Sequence, residues 1–144
     1  MSQLEICAFF CEDARQEIGG KPMFLGVLSS VVMVDEFPMS GDLTYVSLFY
    51  VPSSISEFEA QLDITVENDG DRQQIFSSKK KLKKVNSDDL DDWVCTSTFD
   101  LDHLELAENA LLEARVSANG VRSIRRLRVR KTYEEEFEVE VVRG

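Results

Sequence analysis

The stretch CEDARQEIGGKPMFLGVLSSV, residues 11 to 31, sets Glu12, Asp13, Arg15 and Glu17 ahead of Gly19-Gly20-Lys21 and then turns apolar. Carboxylates beside an arginine are material for acid–base chemistry, and glycines before a lysine are material for a phosphate loop. A phosphate loop also needs a strand before it and Lys-Ser or Lys-Thr opening a helix after it. Here Pro22 comes directly after Lys21, MFLGVLSSVVM reads as a strand, and no G-x-G-x-x-G occurs. Gly19-Gly20 therefore reads as a turn between two extended segments.

Other chemistry-bearing residues are sparse. Nucleophilic catalysis wants a base beside its nucleophile, and the one histidine, His103, lies in the acidic stretch LDHLEL, where solvation explains it. On a strand, Cys7 and Cys11 share a face but stand roughly 13 Å apart, too far to chelate one metal. The cysteines Cys7, Cys11 and Cys95 read as buried structural thiols. NDGD and SDDLDDW invite a calcium site on clustered loops, yet no D-x-[DN]-x-[DN]-G run is present and Asp-rich turns arise for backbone reasons. No cofactor or small-molecule ligand is expected.

Composition narrows the class. The 144 residues carry a formal net charge of −11, and 30% of them are charged. Phosphate backbones repel such a chain, which argues against nucleic acid. No apolar run of membrane-spanning length occurs, so no membrane is expected. Glu5 precedes the first apolar stretch with no base before it, unlike an export signal, and three cysteines make no disulfide framework. These features imply a reducing, cytoplasmic setting.

These residues must be held by strands, because the period is mostly two. In FEAQLDITVEN, Phe58, Ala60, Leu62, Ile64 and Val66 alternate with polar residues, the mark of a half-buried strand. LTYVSLFYV is apolar on both faces and reads as a central strand. Asp69-Gly70 and Asn119-Gly120 mark two tight hairpins, and Trp93 to Leu101 reads as a further strand. LDHLELAENALLEAR is rich in helix formers; a short helical or irregular piece is expected near Leu104 to Glu108, then a strand from Ala110 to Val116. In RSIRRLRVR, Arg126, Arg128 and Arg130 form an outer row opposite Leu127 and Val129. Glu136, Glu138 and Glu140 form an acidic row in the tail, able to pair with it. The expectation is one domain over 1–144: an antiparallel β-sandwich, immunoglobulin-like or related, of seven to nine strands with little helix. Residues 132–144 form a C-terminal strand or tail.

Phe9, Glu12, Asp13, Arg15, Glu17, Gly20, Lys21, Leu25, Gly26 and Val27 together resemble the N-terminal signature of a bacterial domain family of unknown function. The resemblance implies a small β-sandwich ending in a hairpin and a basic strand, and it implies no activity. The leading reading is a non-enzymatic module working through protein–protein contact or self-association. Its candidate surface is Glu12, Asp13, Arg15, Glu17, Lys21, Arg126, Arg128 and Arg130. The alternatives are an enzyme with a carboxylate/arginine site near residues 12–21, and a calcium- or lipid-binding C2-type domain whose aspartate loops meet at one end.

Overall fold

The computed structural model describes residues 3–16, 22–35, 37, 39–85 and 90–132, with only the backbone of 39–42 and 103. Among them run nine strands: β1 (Glu5–Gln16), β2 (Pro22–Leu28), β3 (Val31–Val34), β4 (Met39–Val51), β5 (Glu57–Asn68), β6 (Asp71–Lys83), β7 (Trp93–Leu106), β8 (Leu111–Ala118) and β9 (Val121–Lys131). They form two packed sheets, ordered β2-β1-β4-β7 and β3-β9-β8-β5-β6, with no helix among the described residues. This is the expected β-sandwich. All pairings are antiparallel except the short parallel one between β3 and β9. No helix among the described residues is long and apolar enough to cross a membrane.

The two hairpin dipeptides set the register of the larger sheet. Asp69 and Gly70 have φ of 50° and 81°, and Asn119 and Gly120 have 49° and 77°. Two consecutive left-handed residues make the tight turn whose twist matches that of paired strands. Asn68 thus faces Asp71 and Ala118 faces Val121, and the pleat does the rest. Phe58, Ile64 and Val66 of β5, Leu112, Ala114 and Val116 of β8, and Leu127 and Val129 of β9 turn inward and are buried. Leu62, on the same row, is half-buried. From the smaller sheet come Phe10, Tyr45 and Phe49, all at 1% exposure. β4 is internal between β1 and β7, as its two apolar faces require. Trp93 and Phe99 of β7 meet the opposite sheet through Phe58 and Phe76, with ring centroids 5.8 Å and 3.9 Å apart. The Trp93 indole N–H donates to the Ile55 carbonyl at 2.9 Å.

The helical or irregular piece expected near Leu104 to Glu108 holds no helix, and its irregular part is confined to the turn after Leu106. β7 continues to Leu106, pairing Leu104 with Gly41 and Leu106 with Met39. Between Gly41 and Leu43 the register shifts, placing one extra residue on β7. A bulge reverses the alternation, so Leu101 and Leu106 are both buried although they stand five positions apart. A strand with that bulge mimics helical leucine spacing, and pairing with β4 outweighs propensity. The chain then turns through Asn109 (φ 66°), with the Ala110 N–H donating to the Ala107 carbonyl at 3.0 Å.

The β1–β2 hairpin bends over the outside of the smaller sheet. Phe24 is paired with Ala14, five residues along β1 from Phe9, a run of roughly 16 Å on a straight strand. Yet the Phe9 and Phe24 rings stand 5.0 Å apart, edge to face. Only a fold-back of the hairpin brings them together. Gly26 (φ 64°) stands on the bent strand, and a Cβ there would lie 2.6 Å from the Glu12 carboxyl carbon. Val46 and Cys11, on the outward face, are thereby covered completely, both at 0% exposure.

Ile64 is fully buried between the sheets, and Glu59 lies exposed on the alternate row. Ile64→Ala should cost roughly 2–5 kcal/mol, lost transfer energy plus a cavity, and Glu59→Ala less than about 0.5 kcal/mol. Urea denaturation of the two variants checks the register: equal midpoints would contradict it.

Candidate functional site

The outer face of the larger sheet gathers Arg72, Arg115, Arg126, Arg128 and Arg130 into rows. Cross-strand pairing runs Arg128–Leu111–Glu67–Arg72, then Arg126–Glu113–Thr65–Gln74, then Ile124–Arg115–Asp63–Ser77. Arg126, Arg128 and Arg130 are the outward row of β9, opposite inward Leu127 and Val129, as their alternation requires. Their expected partners Glu136, Glu138 and Glu140 lie outside the described residues.

At the centre is a residue that the sequence reading missed. Glu113 points outward from β8, yet its side chain is only 7% exposed, because guanidinium groups cover it. Arg126 Nε donates to Oε2 at 2.8 Å, while Arg115 Nε at 2.6 Å and Arg72 Nη2 at 3.1 Å donate to Oε1. One carboxylate thus holds three cations from β6, β8 and β9. Burial pushes the Glu113 pKa up, but hydrogen bonds from Arg126 and Arg115 and their charges outweigh it, leaving the carboxyl below its usual range. Each guanidinium has five N–H donors in a planar fork. Glu113 takes one from each, and all three arginine side chains are about half exposed. Arg128 Nη1 donates to the Asn109 carbonyl at 3.1 Å, and Arg130 Nη1 donates to the Asn109 side-chain oxygen. Asn109, held at positive φ in the turn, splints the end of the row. Lys79, Lys81 and Lys83 on β6 extend the positive face, with Lys81 Nζ 3.3 Å from Glu57. A basic face on an acidic chain results.

The N-terminal candidates do not join this face. Asp13 and Arg15 pair with each other at 2.5 Å in solvent, and Glu12 packs over Gly26. A shallow pocket holds Arg15 with Ala14, Gln16, Pro22, Phe24, Thr96 and Thr98, but neither Glu12 nor Asp13. The carboxylate/arginine convergence expected of an enzyme there is absent among the described residues. Glu17, Gly19, Gly20 and Lys21 lie outside them, and the chain after Lys21 is strand β2 and not a helix, with Gln16 paired to Pro22. His103 lies on β7.

Cys11 is buried and Cys95 half-buried, and burial pushes both thiols up. Cys7 is exposed, contrary to the buried reading, because its row faces outward beyond the reach of the folded-back hairpin. The aspartate loops do not meet. NDGD opens β6 and the loop bearing Asp91 and Asp92 lies past its far end, roughly 40 Å away for a strand of that length. Among the described residues no group of three His, Cys, Asp or Glu could hold a metal ion. No family model matches the chain, and no curated protein is detectably similar to it in sequence.

Because Glu113 is held below the usual carboxylate range, its pairing contributes stability that is complete above that range and is lost as pH falls through the depressed value. Glu113→Gln should lower the melting temperature at neutral pH. The gap to the parent should then close below about pH 4. Melting curves from pH 7 to pH 2 check this; a gap independent of pH would show that the charge is not what Glu113 contributes.

Proposed function

We propose that the chain is a non-enzymatic, cytoplasmic binding module of immunoglobulin-like type whose arginine face engages an acidic protein surface. The observation that carries this reading is the cluster on Glu113, in which one carboxylate orders three half-exposed guanidiniums. Ordered forks suit carboxylates, which accept two parallel N–H bonds. Single-stranded nucleic acid is the less favoured ligand of such a face, because stacking platforms are aromatic and β8 and β9 carry no aromatic residue. The N-terminal resemblance to a bacterial domain family agrees with a module of this size and supplies no chemistry of its own.

Polyglutamate and single-stranded DNA of matched charge serve as probes. Polyglutamate should bind in a salt-dependent manner and more tightly than the DNA, and Arg128→Glu/Arg130→Glu should weaken it by at least about tenfold, the loss of two charge-assisted contacts. Arg15→Glu should leave binding unchanged. Stronger binding of the DNA, or equal loss in both variants, would overturn the reading.

A further inference from the structure

Along the β6 and β7 edges the two sheets do not close fully on each other. Ser47 of β4 lies directly opposite Ser97 of β7, and both line the space between the sheets. Ala60 of β5 and Ser78 of β6 line it from the facing sheet. Each of the three serines stands two residues along its strand from a phenylalanine that lines the same space, Phe49, Phe76 or Phe99. Small side chains thus interrupt rows of large ones, and a cavity of about 190 Å³ is left between them. Interiors pack as closely as organic crystals, so a void of this size costs stability. The strand pattern does not require it, because a leucine at 97 would keep the same alternation.

The walls of the cavity are aromatic and aliphatic. Phe76 and Phe99 meet across the two sheets, with ring centroids 3.9 Å apart, and Phe49, Leu62 and Leu82 add to the apolar lining. Lys80, two residues beyond Ser78 on the same row of β6, is exposed at the mouth. Burial pushes the Cys95 thiol up and the Lys80 charge pulls against it, which places the ammonium group beside the gap. Among the described residues no carboxylate pairs with Lys80, whereas its outward neighbour Lys81 pairs with Glu57. Ser78 and Ser97 are half-buried and make no side-chain hydrogen bond to a described residue.

We propose that this cavity binds a small aromatic carboxylate, a single ring on a short arm, with the ring among Phe49, Phe76 and Phe99 and the carboxylate at Lys80. Size supports it: a cavity of about 150 Å³ lined by leucine, isoleucine and phenylalanine takes up benzene, so about 190 Å³ suits one ring and a short arm. The walls support a ring over an alkyl chain, because aromatic side chains gain edge-to-face and offset contacts with another ring. Charge supports the acid: Lys80 offers a charge-assisted hydrogen bond, and the Ser78 and Ser97 hydroxyls offer further donors. Burying a carboxylate without partners is costly, so the acid group stays at the lysine end.

No small-molecule ligand is expected from the sequence, because Ser47, Ser78 and Ser97 lie on three different strands and only the packing of the two sheets gathers them. The inference does not depend on the acidic-partner reading, since the arginine rows lie on the outer face of the larger sheet and the cavity lies behind its inner face.

Titration of the full chain with 3-phenylpropionate, followed by residue-resolved amide chemical shifts, tests it, with 3-phenylpropanol and octanoate as comparison probes. 3-Phenylpropionate should give saturable shifts at Ser47, Ser78 and Ser97 and raise the melting temperature. It should bind at least about threefold more tightly than the alcohol, and Lys80→Met should remove that preference. Ser97→Leu, which fills the cavity, should weaken both ring probes at least about tenfold. Absence of saturable binding in the parent chain overturns the proposal whether or not the variants fold. Shifts centred on Glu113 and Arg126, equal binding of acid and alcohol, or tighter binding of octanoate overturn it as well. So does undiminished binding in a folded Ser97→Leu chain.

Discussion

The two-residue turns at Asp69-Gly70 and Asn119-Gly120 are the constraint on which the larger sheet depends. Each locks a register, and a slip of one residue would send Ile64, Leu112 and Leu127 to solvent and bring arginines into the core. The same register places Glu113 directly opposite Arg126. The carboxylate cluster is thus a by-product of turn geometry in its position and a consequence of side-chain length in its closure. Arg72 reaches Glu113 from two strands away, across Thr65.

Much of this was legible in the chain. Strict alternation identified β5 and the two rows of β9, and the Asn-Gly and Asp-Gly dipeptides identified their hairpins. Glu113 was also within reach, because a two-residue loop at 119–120 pairs 113 with 126 by arithmetic alone. It was obscured by LDHLELAENALLEAR, whose helix-forming composition masks the hairpin it ends in. The bulge on β7 was not legible, since it depends on which residues of β4 lie opposite. Nor was the fold-back of the β1–β2 hairpin, which rests on a long-range contact between Phe9 and Phe24 with no local signature. The N-terminal charges were conspicuous in sequence and dispersed in space, since Asp13 pairs with Arg15 while Glu12 turns to Gly26.

Polar groups inside the sandwich are managed with economy. Arg125 lies on the inward parity of β9, and its Nε donates to the Ala8 carbonyl at 2.8 Å, where β1 has run past the end of β2. It closes a sheet edge that no described strand covers. Tyr45 is the exception: its hydroxyl is buried with no hydrogen-bond partner of good geometry among the described residues, and burial pushes its pKa up to about 12 against the pull of the Arg125 charge. Its ring packs against Phe10 at 5.2 Å, and the apolar contact retains it there.

The parallel pairing of β3 with β9 also has a consequence for the order in which the molecule assembles. It joins segments about a hundred residues apart in sequence, whereas each hairpin of the larger sheet joins neighbours. Closing so long a loop is entropically expensive until both sheets exist. During synthesis β3 therefore waits until Lys131 has left the ribosome before its partner is complete. Throughout that interval β3, Val31 to Val34, is an uncharged stretch of the nascent chain open to wrong pairing. Expression yield should hence respond to the chaperone capacity of the host.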